Sequence, residues 1–357
     1  MNNKMQEFRD KFFQLVVEAE RVLITSHISP DEDSFSSVLF VYHMLTVKFP
    51  EKNIRMAYTG EPVPRFSSFK NYDKIEFLLD VADVSSESDL LIMLDGGQYS
   101  RFSRKPEILK QVSKSITIDH HASALDDFML CFVDTKATSN AELLYSIFSG
   151  DVAIQKENAE YILLGILGDT GNLLFVKPEQ MQVFDIVKRL LLIADTSIEM
   201  FQSRYRSISL REFELMKILI KNTTFADISG WPAVHYTFIE KQEAEKYTDV
   251  EVSSATAMYV ARYLRIIGQY SWGFAVTPRT SGDFHASFRS LPGSVNVRKM
   301  AEQMGVGGGH DRAAGSSFKE VDGYGSASAV IEKILDWMKE NKPVLDSQDQ
   351  ILNFFNY

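Results

Sequence analysis

Short apolar runs alternate with amphipathic stretches through the first half of the chain. RVLIT (21–25), NIRMAY (53–58), LLIML (90–94), SITI (115–118) and LCFV (130–133) are rich in aliphatic and β-branched residues. Such runs read as strands buried on both faces. Residues 6–19 and 34–48 carry helical spacing between them. Strands separated by helices predict an α/β fold with a doubly wound, mainly parallel sheet. After Pro178 the pattern turns helical, in MQVFDIVKRLLLIA and SLREFELMKILI. ADISGWP (226–232) interrupts that run and marks a boundary. Beyond it PAVHYTFI, SWGFAVTP and DFHASFRS read as strands, with a helix over 254–266 and two more in VRKMAEQM and SASAVIEKILDWMKEN. The expected layout is a first domain at 1–195, a helical linker at 196–227, a smaller α/β domain at 228–341 and a tail at 342–357.

Composition narrows the class. The chain has 357 residues, of which 45% are apolar and 24% charged, with a formal net charge of −10. That is a folded chain, and its acidity argues against a duplex DNA partner, which wants a basic face. A small anionic ligand stays open, because a bound metal reverses the local sign. Cys131 is the single cysteine, so no intrachain disulfide forms and a metal must take His and carboxylate ligands. No secretory signal and no apolar run near the roughly 20 residues of a membrane span is visible, so the expected compartment is the cytoplasm, with no membrane partner.

The informative feature is where polar residues fall. RVLIT is followed by His27, Asp31 and Asp33, LLIML by Asp95, and SITI by Asp119, His120 and His121; Asp169 follows the apolar run YILLGILG. Ligands of an open parallel sheet bind outside the carboxyl ends of its strands, so three such ends would meet in one crevice. Two His and four Asp without sulfur suit Mn²⁺ or Mg²⁺. A pair of such ions about 3.5–4 Å apart, sharing a carboxylate, supports in-line attack on phosphorus. Each residue alone has a plainer reading. An Asp after a strand is usually a helix N-cap or turn residue, and a lone His is usually structural. The combination is what points to metal. His43, inside the apolar stretch FVYHML, reads as structural, and Asp126 and Asp127 as a solvated turn.

A second dense signal is GVGGGHDRAAG (305–315). Its consecutive glycines read as a loop whose backbone N–H groups approach a phosphate or base, with His310 and Arg312 adding polar contacts. Arg289 and Ser290 stand at an expected strand end, where Arg suits bidentate capture of phosphate.

Taken together, HISPDED (27–33), the aspartate of LDGGQYSR (Asp95), IDHH (118–121), GDTGNLLF (168–175) and GGGHDRAAG (307–315) occur in the order found in the DHH/DHHA1 phosphoesterase superfamily. The chain resembles that family from about residue 21 to 318, and most of all its bacterial nano-RNase (oligoribonuclease) and pAp-phosphatase type. The resemblance implies a DHH domain over 1–195 and a substrate-binding DHHA1 domain over 228–341. It implies two divalent ions, manganese or else magnesium. His27, Asp31 and Asp95 would hold one; Asp33, Asp95, His120 and Asp169 would hold the other. His121 would face the scissile phosphate, with Asp119 orienting a histidine. Arg289, Ser290, Gly307, Gly308, Gly309 and His310 would grip the far end of the substrate, with Arg101 as a further phosphate contact. The implied reaction is hydrolysis of short RNA, dinucleotides or pAp to nucleoside 5′-monophosphates; a homodimer is a separate expectation for the chain. Linear or cyclic di-AMP is the alternative substrate, and a catalytically inactive nucleotide sensor the alternative of another class. Two positions depart from the family pattern. Glu32 stands between the first two aspartates and Ser36 follows shortly after, where glycines are usual; Glu32 is expected to turn outward.

Overall fold

The computed structural model describes residues 3–28, 30–122, 125–205, 208–265, 267–305 and 307–345. By contacts the chain divides into two compact units, 1–207 and 208–357.

The first unit is built on six strands: β1 (Arg21–Ser26), β2 (Asn53–Thr59), β3 (Ile75–Leu78), β4 (Leu90–Leu94), β5 (Ser115–Asp119) and β6 (Leu130–Val133). Their order is β3-β2-β1-β4-β5-β6, and every neighbouring pair is parallel. The five strands expected from the apolar runs all form. The sixth, β3, is a four-residue edge strand only partly buried, too short and too polar to stand out. Both faces of the sheet are covered. Phe12, Leu39 and Ile92 belong to one core, and Leu23, Leu91, Met93 and Phe102 to the other, which is why β4 and β5 are buried along their whole length. Chain direction across the sheet reverses between β1 and β4. That reversal opens a crevice at their carboxyl ends.

Two helices border the crevice. Glu32–Lys48 begins just after β1, and Lys156–Asp169 ends in the Gly-Asp pair of GDTGNLLF. They approach closely because Gly165 has no side chain. A Cβ there would stand 2.5 Å from Asp33 Oδ1, 2.5 Å from Ala141 Cβ and 2.8 Å from Ser36 Oγ. Ser36, one of the two departures from the family pattern, donates its hydroxyl to Tyr161 O at 2.6 Å and so ties the two helices. Among the described residues no helix is long and apolar enough to cross a membrane.

Among the described residues the second unit has six strands, β7 (Thr224–Ala226), β8 (Val234–Phe238), β9 (Trp272–Pro278), β10 (Phe284–Ser290), β11 (Gly307–His310) and β12 (Ala313–Phe318), ordered β11-β12-β10-β9-β8-β7. Only β8 and β9 pair in parallel. The glycine-rich segment read as a loop is instead a hairpin, Gly307↔Ser316 to His310↔Ala313. The glycines serve the pairing, since a Cβ on Gly307 would run into Gly315 O. The helix expected at 254–266 runs over Asp249–Arg262, and Ile266 lies outside the described residues. Of the stretch expected as a linker, Phe201 sits in the core of the first unit, while Leu215 and Leu219 pack with Val252 and Tyr259 in the second. Most of the tail, 346–357, also lies outside the described residues.

Gly165→Val is therefore expected to lower unfolding free energy by about 1–3 kcal/mol through overpacking, measured as a reduced urea midpoint. An unchanged midpoint would show that the helix pair has slack.

Candidate metal centre

Each candidate ligand is placed by its local structure. His27 follows β1, and its Nδ1 lies 3.0 Å from Ile28 O, which turns Nε2 toward the crevice. Ile28 N in turn donates to Arg101 O at 2.7 Å. Asp31 caps the helix that follows, accepting from Ser34 N at 3.0 Å with Oδ1, and its Oδ2 lies 3.6 Å from His27 Nε2. The plain N-cap reading and the ligand reading of Asp31 thus hold together, one oxygen for each. Asp33 is fully buried. It accepts from Asn140 N at 2.6 Å and Ala141 N at 2.9 Å, at the start of the helix Asn140–Phe148, where exposed N–H groups favour a carboxylate.

Asp95 leaves β4 in the left-handed region, with φ 60°, a conformation Asp tolerates better than most residues. This turn puts Oδ2 3.4 Å from His27 Nε2. It puts Oδ1 3.6 Å from His120 Nε2 and 3.4 Å from His121 Nδ1. Asp95 Oδ1 is buried and has no hydrogen-bond partner among the described residues. His120 Nε2 also lies 3.1 Å from Asp169 Oδ2 and 3.7 Å from Asp33 Oδ2. Asp119 ends β5, and its Oδ1 accepts from His120 N, His121 N and, at 2.7 Å, the His121 ring. Just past Asp169, Gly171, Asn172 and Leu173 are left-handed in succession, which turns the chain sharply.

The electrostatics follow from burial and like charge. Burial, then Asp169 and Asp95, push the Asp33 carboxyl well above its ordinary value, and burial raises Asp169 against the pull of His120. Burial also resists the charged form of His27 and His120. Asp31 and Asp95 outweigh it at His27, and Asp169, Asp33 and Asp95 at His120, holding each imidazole at about 10. Asp95 is driven far below the carboxylate range: burial opposes its charge, but the hydrogen bond from His27 and the charges of His121, His27 and His120 prevail. Carboxylate charge thus favours the charged form of both imidazoles.

This donor set fits divalent cations. The donor atoms of His27, Asp31 and Asp95 lie within 4.8 Å of one another, as do those of Asp33, Asp95 and His120, and of Asp95, Asp119 and His121. An N–H points at one acceptor, yet His120 Nε2 has three carboxylate oxygens at 3.1–3.7 Å. Ligands bonded at about 2.0–2.2 Å to one ion stand at about that spacing from each other. Asp95 belongs to all three groups.

Other residues separate from this cluster. His43 packs edge-on against Tyr161 at 6.4 Å, as a structural histidine does. Asp126 accepts from Tyr99 N at 2.8 Å, so it fixes the turn carrying Arg101 rather than simply facing solvent. Glu32 pairs with Arg65 at 3.4 Å.

In the second unit Arg289 donates to Phe288 O, and Arg265 and Ser290 N both donate to Arg312 O. Burial and, after it, neighbouring guanidinium charge lower Arg265 and Arg289 to about 10. Ser290 Oγ is buried with no partner among the described residues. His310, Gly307 and Gly309 are exposed and Gly308 is half-buried. Arg265 was not singled out from the sequence, where a basic residue near a helix end carries no signal of its own.

Comparison with known proteins agrees with this geometry. Residues 21–166 match the family model described as DHH family, N-terminal domain. A curated relative, the bifunctional oligoribonuclease and PAP phosphatase NrnA of Bacillus subtilis, is 26% identical over 309 residues, covering 85% of this chain and 91% of its own. The cyclic-di-AMP phosphodiesterase GdpP of the same species is 23% identical, covering 90% of this chain and 48% of its own. The crystal structure of an exopolyphosphatase-related protein from Bacteroides fragilis shares the fold, with a TM-score of 0.74 at 21% identity over 94% of this chain and 97% of that one. The family likeness thus lies in residues 21–166, which are similar to the N-terminal domain of the DHH family.

Proposed function

We propose that the chain is a metal-dependent phosphoesterase that hydrolyses short RNA oligonucleotides, dinucleotides and pAp to nucleoside 5′-monophosphates. One observation carries the reading: six His and Asp side chains gather at the switch point of the first sheet, with Asp95 common to separate donor groups. The reaction class is that of the family, a hydrolase of phosphoester bonds. Relatives at 25–27% identity over most of the chain, named as oligoribonuclease and PAP phosphatase, support the substrate class. His27, Asp31 and Asp95 would hold one ion and Asp33, Asp95, His120 and Asp169 the other. Manganese is the expected metal and magnesium the alternative, since the donors are imidazole and carboxylate without sulfur. When bound, such ions acidify a water and neutralise charge on the phosphoryl oxygens.

The chain's own residues do the rest. Asp119 takes the Nδ1 side of His121 at 2.7 Å, which leaves Nε2 for the substrate. Asp31 and Asp33 each spend a hydrogen bond on a helix start, so their carboxylates are fixed before any ligand arrives. Arg289, Ser290, His310 and the glycines 307–309 bind the phosphate end of the substrate, and Arg101 contributes at the first unit. The cytoplasm is the compartment in this reading. Similarity to the GdpP phosphodiesterases favours linear or cyclic di-AMP as the second reading.

Asp95→Asn keeps the left-handed turn but removes the shared charge. It is expected to cut Mn²⁺-dependent release of AMP from diadenylate by at least about 100-fold, on the order of 3 kcal/mol of transition-state stabilisation. Full activity would end the shared-ligand assignment. Adding Mn²⁺ at about a hundredfold excess over its Kd should stabilise the wild type by about 2.7 kcal/mol, read as a rise in Tm that EDTA reverses; no shift would count against a metal centre. Arg289→Ala should raise KM more than it lowers kcat, whereas a loss confined to kcat would contradict an anchoring role. A panel of pAp, dinucleotides, five-mers and cyclic di-AMP, ranked by kcat/KM, separates the two substrate readings.

A further inference from the structure

Glu32 occupies an exacting position. It lies between Asp31 and Asp33, and its side-chain stem rests on Gly168, where any Cβ would collide with it. Gly168 immediately precedes Asp169. Three of the six candidate ligands therefore flank one additional carboxylate that is not among them. A carboxylate there adds negative potential to a cluster that already holds four aspartates and that, on the reading above, must admit a phosphate.

The compensating charge comes from another element. Arg65 stands on the short turn Pro64–Phe66. Its Nη2 is 3.4 Å from Glu32 Oε1, and both side chains are only 26% exposed. The guanidinium lies over the Phe66 ring at 4.7 Å, and its Nε is buried with no acceptor among the described residues. That packing holds the cation in place at the expense of one donor, and the carboxylate it faces is Glu32.

We propose that Arg65 is a positioning residue that masks the charge of Glu32, drawing that carboxylate aside so that the potential of the site is set by the six candidate ligands alone. The inference rests on the proposed phosphoesterase reading for its substrate consequence, but not for its effect on metal affinity. A unit charge about 8 Å from a divalent ion changes its affinity by about fivefold even in water-like surroundings, and salt screens the effect over about 10 Å.

The test is a charge cycle in the full-length chain with Arg65→Gln, Glu32→Gln and the double variant. Mn²⁺ affinity is read by titration and KM is read on diadenylate. Arg65→Gln is expected to tighten Mn²⁺ and raise KM, each by about fivefold at low salt. Glu32→Gln is expected to do the reverse, and the double variant to return within about twofold of wild type. High salt should shrink all of these differences. If Arg65→Gln does not fold, the Glu32→Gln shifts alone decide: no change in Mn²⁺ affinity overturns the proposal. Arg65→Gln raising KM equally with or without Glu32→Gln also overturns it, because Arg65 would then touch substrate directly. If the wild type turns over no diadenylate, the substrate reading fails by itself, and the Mn²⁺ arm still tests the masking.

Discussion

The structure around the crevice depends on one constraint: carboxylates crowded in a poorly solvated space need positive charge. Asp33 and Asp95 are buried and Asp169 is mostly so, within a few ångströms of each other across His120. The neighbouring carboxylates favour the charged form of His27 and His120, raising both imidazoles against the effect of burial. Among the described residues Asp95 Oδ1 has no hydrogen-bond donor, and one His120 nitrogen faces three carboxylate oxygens. Buried unpaired acceptors and shared donors are costly. Divalent cations relieve both problems, since each accepts several oxygens and nitrogens at once.

The fold makes this arrangement affordable by using carboxylates for two purposes. Asp31 caps one helix and Asp33 the start of another, so local hydrogen bonds orient groups that then face the crevice. The close approach at Gly165 sets Asp33 against the helix that ends in Asp169. Candidate ligands at the ends of β1, β4 and β5 and on two helices are thus brought together by backbone geometry as well as by the contacts they make with one another.

Much of this was legible in the sequence. Five apolar runs gave five strands of the first sheet, and His or Asp immediately after three of them placed the site at strand carboxyl ends. What escaped detection has physical reasons. The edge strand β3 is short and half-exposed. The triple glycine reads as a loop by composition, yet pairs as a strand because only glycine lets Gly307 lie against Gly315. The destination of Glu32 depended on Arg65, thirty-odd residues away and on a different element, a tertiary contact that no local pattern carries. Arg265, likewise, acquires meaning only beside Arg289 and Arg312.

The most direct measurement is a crystal of the chain grown with Mn²⁺ and examined by anomalous scattering. Two peaks are expected, one among His27, Asp31 and Asp95 and one among Asp33, Asp95, His120 and Asp169, with Asp95 touching both. Peaks elsewhere, or an empty crevice at millimolar Mn²⁺, would contradict the shared-carboxylate centre.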